Sequence, residues 1–156
     1  MTLPRSLAAS VCMAALPCFA FAGEVVLTFT HGDKSIEFDM ATLTEMDDTQ
    51  FSTSTTWTEG EQDFVGVSLH TFLEEVGVQA GTLKATAIND YAVEIPVSDA
   101  VEGGPIIAYH RNGEEMSVRD KGPLWVVYPY DSSTDYQTEV IYSRSIWQLD
   151  RISVIE

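Results

Sequence analysis

The sequence predicts an α+β domain dominated by β-structure: its opening stretch alternates apolar and polar residues, a single segment has a clear helical period, and turn residues divide the remainder into short strands. Val25 to Thr30, the turn His31-Gly32-Asp33 and Ser35 to Met40 form a β-hairpin pattern. From Phe51 to Phe64, four threonines and a tryptophan favour a strand or an extended loop, because both residue types suit a pleated surface. Leu69, Phe72, Leu73 and Val76 then recur at i, i+3, i+4 and i+7. Ser68–Gly77 is therefore the clearest helix, with Ser68 placed to cap its start and Gly77 its end. Five more strands are expected at 83–88, 92–96, 106–111, 124–130 and 152–155, with one or two short helices in all. The breaks are Asn89-Asp90, Gly103-Gly104-Pro105, Asn112-Gly113 and Lys121-Gly122-Pro123, and Asn112-Gly113 is the strongest hairpin signal among them.

Residues 1–22 read as a secretory signal peptide. Arg5 precedes a run from Leu7 to Ala22 without charge, which closes on Ala20-Phe21-Ala22, the small-x-small pattern read by signal peptidase. That run is shorter than the ~20 residues of a spanning helix, and Pro17 interrupts it, so no membrane insertion is expected after cleavage. Cys18 raises a lipoprotein alternative, but Pro17 stands where a lipid-attachment motif needs a small residue. Both cysteines, Cys12 and Cys18, fall inside this segment. The domain at 23–156 therefore has no disulfide, thiolate ligand or cysteine nucleophile. Losing Arg5 with the leader takes the formal net charge from −16 to −17, which disfavours nucleic acid and anionic lipid as partners.

No histidine pair has metal-ligand spacing, no Gly-rich phosphate loop is present, and no nucleophile motif marks a hydrolase. The informative stretch is Met116 to Pro129, where Arg119, Asp120 and Lys121 stand beside a Gly-Pro turn leading to Trp125 and Tyr128. A cationic turn next to aromatics suits an anionic or flat aromatic ligand. It equally suits a solvated turn followed by core residues, and residue types alone leave both readings open.

Phe64 to Leu69, Ala87 to Pro96, Arg119 to Pro129 and Ser145 to Ile152 resemble, in order, segments of the sulfite-oxidase type molybdopterin-binding domain. The resemblance implies a β-rich mixed-sheet, barrel-like fold with a few short helices. It also implies a cysteine ligand to molybdenum upstream of Gly66, yet Phe51 to Asp63 offers only Thr and Ser as counterparts. Trp125 stands where the enzymes carry a phosphate-gripping arginine, and Ile146 where they often have lysine. Such exchanges favour stacking on a ring over holding a phosphate.

The implied reading is a periplasmic pterin-binding protein without molybdenum chemistry that relays pterin to the periplasmic domain of a membrane sensor. Trp125 or Trp57 can then supply the ring face, Asp90 or Asp120 can accept from the amine edge, and Asn89, Arg119 and Lys121 can donate. Tyr91 and Tyr128 are further stackers or hydroxyl donors, and Arg144 is the last basic candidate. Trp147, just before the final strand, is expected in the core. Two other readings stay open: a molybdopterin-dependent oxidoreductase or a subunit of one, and a partner-binding module with a vestigial pocket.

Overall fold

The structure, a computed structural model, describes residues 23–155; the expected signal peptide lies outside the described residues. Strand β1 (Val25–His31) turns at Gly32, φ 58°, into β2 (Lys34–Asp39). Helix α1 (Met40–Met46) follows at once, because the Asp39 carboxylate accepts from the Thr42 N–H at 2.8 Å and caps it. The alternation read as strand through Met40 therefore stops one residue earlier.

Strands β3 (Thr49–Ser54) and β4 (Glu61–Ser68) flank the loop that carries Trp57. Helix α2 (Leu69–Val76) buries Leu69, Phe72, Leu73 and Val76, the four residues that set its period. Gly77 ends it in the left-handed conformation, φ 77°. Ser68 does not cap its start through its side chain; its N–H instead donates to the Asp47 carboxylate at 2.8 Å.

Strands β5 (Thr82–Ala87), β6 (Ala92–Pro96), β7 (Ile106–Arg111), β8 (Glu114–Glu115) and β9 (Trp125–Val127) come next. Helix α3 (Glu139–Arg144), capped by the Thr138 hydroxyl, and β10 (Leu149–Ile155) complete the order. Strand β9 is shorter than the 124–130 expected, since the segment turns into a 3-10 helix at Tyr130–Ser132 after Pro129, which lacks a backbone donor.

Two five-stranded sheets result, and neither closes on itself or on the other, so the barrel-like expectation is corrected to two open sheets. The first has the order β2-β1-β10-β5-β6, with β1 and β10 parallel and the other pairs antiparallel. The second runs β3-β4-β7-β8, with β9 also paired to β7. Where β7 meets β4, the register shifts at Val65/Gly66 and the backbones come so close that a Cβ on Gly66 would lie 2.2 Å from the Ile107 carbonyl oxygen. Phe72 of α2 packs on the first sheet through Phe29 and Phe38, at 5.8 and 5.4 Å between ring centroids.

Residues 145–149 join the two sheets. Val126 N–H donates to the Ile146 carbonyl, Leu149 N–H to the Leu124 carbonyl, and Trp147 bridges to Trp125. This connection sets the position of the site. Among the described residues, no helix is long and apolar enough to cross a membrane.

Candidate functional site

A pocket of about 370 Å³ opens where three connections meet: the Trp57 loop between β3 and β4, the Ala87–Tyr91 turn between β5 and β6, and the stretch from α3 to β10. Its aromatic wall is built around Trp57, which meets Trp147 at 5.5 Å, Tyr142 at 5.9 Å and Trp125 at 6.0 Å, all edge to face. Tyr91, 59% exposed, adds a ring at the rim.

Polar groups face the same space. The Asn89 side-chain oxygen accepts from the Tyr91 N–H at 3.2 Å, which leaves its NH₂ to donate. Gln148 uses its NH₂ on the Val118 carbonyl at 2.6 Å, which leaves its oxygen to accept. One amide donor and one amide acceptor therefore remain on the lining. Ser145 is saturated: its hydroxyl accepts from Tyr130 at 2.6 Å and donates to the Ile141 carbonyl at 2.9 Å.

Backbone strain gathers here. Of the four non-glycine residues with positive φ among the described residues, Asp90 (66°), Lys121 (72°) and Gln148 (52°) border the pocket, and the fourth, Asn112, makes the β7–β8 hairpin turn. Such conformations persist where the surroundings fix them, and they cluster at binding sites. The Lys121 carbonyl accepts from the Gln148 N–H, and a Cβ on the adjacent Gly122 would lie 1.8 Å from the Met116 carbonyl oxygen. That packing directs the lysine ammonium over two indoles, 4.7 Å from the Trp147 ring centre and 5.7 Å from that of Trp125.

Of the residues singled out from sequence, Trp57, Asn89 and Tyr91 line the pocket and Lys121 lies over its Trp147 wall. Asp90 sits on the Ala87–Tyr91 turn itself, but its carboxylate lies 2.6 Å from Arg151, and Asp120 is paired with Arg111. Neither carboxylate faces the lining. Arg119 is exposed and, among the described residues, makes no hydrogen bond or ion pair.

Trp125, Tyr128 and Arg144 serve the scaffold in this structure. Trp125 is fully buried against Phe64, Trp57 and Trp147, and its indole N–H donates to the Ser145 carbonyl at 3.2 Å. Tyr128 is fully buried too, and its hydroxyl and Arg144 converge on one oxygen of Asp99, each at 2.8 Å. Burial, then the neighbouring Asp99 charge, raises the Tyr128 hydroxyl well above the usual tyrosine range. This group ties α3 to the segment after β6, behind the pocket.

The pocket also needs the rings of Trp147 and Tyr142 and the amide of Gln148, which sequence reasoning missed as site residues. Trp147 was expected in the core, yet it is only part-buried and forms a wall. The available signal was Trp147-Gln148 in the segment of family resemblance, between Ile146 and Leu149, both of which are buried.

Among the described residues no group of three or more His, Cys, Asp or Glu could hold a metal ion. The family model described as the oxidoreductase molybdopterin binding domain matches residues 27–135. Among curated proteins no match is found. Among solved structures, the sulfane dehydrogenase SoxCD from Paracoccus pantotrophus is similar in fold, with a TM-score of 0.61 at 18% identity. The similarity covers 82% of this chain and 37% of that one, so the present chain spans well under half its length.

Proposed function

This chain belongs to the family of oxidoreductase molybdopterin-binding domains, and from that premise we propose that it is a periplasmic pterin-binding protein that holds the ring without a thiolate-ligated molybdenum and relays it to a membrane sensor. The observation that carries the reading is the pairing, on one pocket lining, of a tryptophan-tyrosine wall with a free amide donor and a free amide acceptor. A pterin presents a flat fused ring and an amide edge that needs one of each. Asn89 and Gln148 meet that edge, and Trp57, Trp147 and Tyr91 meet the face. The charged acceptor expected at Asp90 or Asp120 gives way to the neutral Gln148 oxygen.

The donor set speaks to the metal separately. No cysteine follows Cys18 in the sequence, so the thiolate through which this family holds molybdenum has no counterpart from Gly23 onward. The pterin ring fits the residues present; a cysteine-held molybdenum does not. Where the full cofactor is bound in this family, the metal supplies the redox chemistry, and no side chain on this lining replaces it. The work left to these residues is to bind and orient a ring.

The expected result for protein purified from its own host is a releasable pterin, identified by mass spectrometry, with no stoichiometric molybdenum by elemental analysis. Stoichiometric molybdenum would favour the oxidoreductase reading. An empty pocket that also fails to bind added unsubstituted pterin, followed by its fluorescence, would leave the partner-binding module.

A further inference from the structure

Exposed apolar side chains are unevenly placed. Among the described residues six large hydrophobics are exposed, and four of them, Ile88 (44%), Tyr91 (59%), Val118 (51%) and Val140 (56%), surround the aromatic pocket. Ile88 N–H donates to the carbonyl of Gln148, and the Val118 carbonyl holds the Gln148 side chain. Val140 lies one turn before Ser143 on α3, and its carbonyl accepts the Ser143 hydroxyl. Tyr91 is itself part of the lining. Leaving four such side chains in water beside one opening suits a surface that is covered when the protein works.

Charge bears on the same face. Arg119, Lys121 and Arg151 stand at this rim: Arg119 follows Val118, Lys121 lies over Trp147, and Arg151 pairs with Asp90 and Asp150. From Gly23 onward four further cations, Lys34, Lys84, Arg111 and Arg144, stand against the remaining 22 of the chain's 24 acidic residues. The three rim cations and the two carboxylates paired with Arg151 nearly balance, while the chain as a whole is strongly anionic.

We infer that this face is the docking surface for a protein partner with an apolar contact patch flanked by basic residues, seated over the pocket so that it touches the bound ring directly. A second copy of this chain fits poorly, because its acidic flanks would oppose those of the first. Nucleic acid and anionic lipid fit poorly for the same reason. A partner of this kind reads occupancy without a conformational change in the binder: a filled pocket completes the contact surface, and an empty one leaves a hole in it. This inference rests on the ligand-binding reading for what the partner reads, and on the rim alone for where it docks.

The test places a photo-crosslinking benzoylphenylalanine at position 118 or 140 of the full exported chain in its own host, with positions 25 and 101 as exposed apolar controls. The expected result is one heterologous adduct from 118 and 140 and none from the controls. The captured protein, once purified, should bind the wild-type chain at a rate that falls as salt rises, and Val118→Glu or Val140→Glu should weaken binding at least tenfold with pterin affinity unchanged. Adducts from all four positions, adducts between copies of this chain alone, no adduct from the rim, or wild-type affinity in both glutamate variants would overturn the inference. A pterin titration on the same preparations separates the two readings, since a pocket that binds nothing can coexist with a docking rim, and a pocket that binds tightly can lack one.

Discussion

Lys121 shows how one backbone conformation places a charge. With φ at 72° and Gly122 pressed against Met116, its side chain is carried over Trp147, and among the described residues no carboxylate pairs with it. The two tryptophans beneath it have different roles, and substitution separates them. Trp147→Ala is expected to weaken pterin binding by roughly 1–3 kcal/mol, the scale of one aromatic stack, with the melting temperature little changed. Trp125→Ala empties a fully buried site, so it should cost about 3–5 kcal/mol of stability. Ligand titration and thermal melting of both variants check this, and the reverse pattern would return Trp125 to the ligand.

At the scale of elements, the pocket depends on how α3 is anchored. Asp99 receives both Arg144 of α3 and Tyr128 beside β9, so it links the wall-bearing helix to the core. Tyr128→Phe removes one hydrogen bond, at about 1 kcal/mol, and leaves the ion pair in place. Asp99→Ala releases α3 as well, and is expected to lower pterin affinity more than Tyr128→Phe does; equal affinities would argue against anchoring. The strands, the hairpin at Asn112-Gly113 and helix α2 were legible because each has a local signal, whether alternation, a turn pair or a 3.6-residue period. Helices α1 and α3 were not, being one to two turns long and announced only by their caps, Asp39 and Thr138. Of the site, Trp57, Asn89 and Tyr91 could be named from sequence. The burial of Trp125 and the part-exposure of Trp147 depend on how residues 145–149 lie along β9, a long-range pairing with no local signature.

For the molecule as a whole, tyrosine burial sets a limit at high pH. Burial pushes the Tyr130 hydroxyl up to about 12, and it raises Tyr128 as well, from an ordinary value of 10.0. A raised folded-state value means that the stabilisation is complete below about pH 10 and is lost as pH climbs toward 12, because the unfolded chain ionises first. Urea midpoints should therefore fall from pH 9 to pH 11 and fall less in Tyr130→Phe, whereas a flat profile would contradict the burial seen here. The sheet order has a consequence in time. Strand β10 is made last of the described elements yet lies in the middle of the first sheet, between β1 and β5. Until Leu149–Ile155 is present, that sheet exists only as two separate hairpins, each marginal in water by itself. A chain made from its N-terminus therefore cannot complete this half of its fold until nearly all of the described residues have emerged, and the last strand acts as a delay that keeps the earlier hairpins loosely held until then.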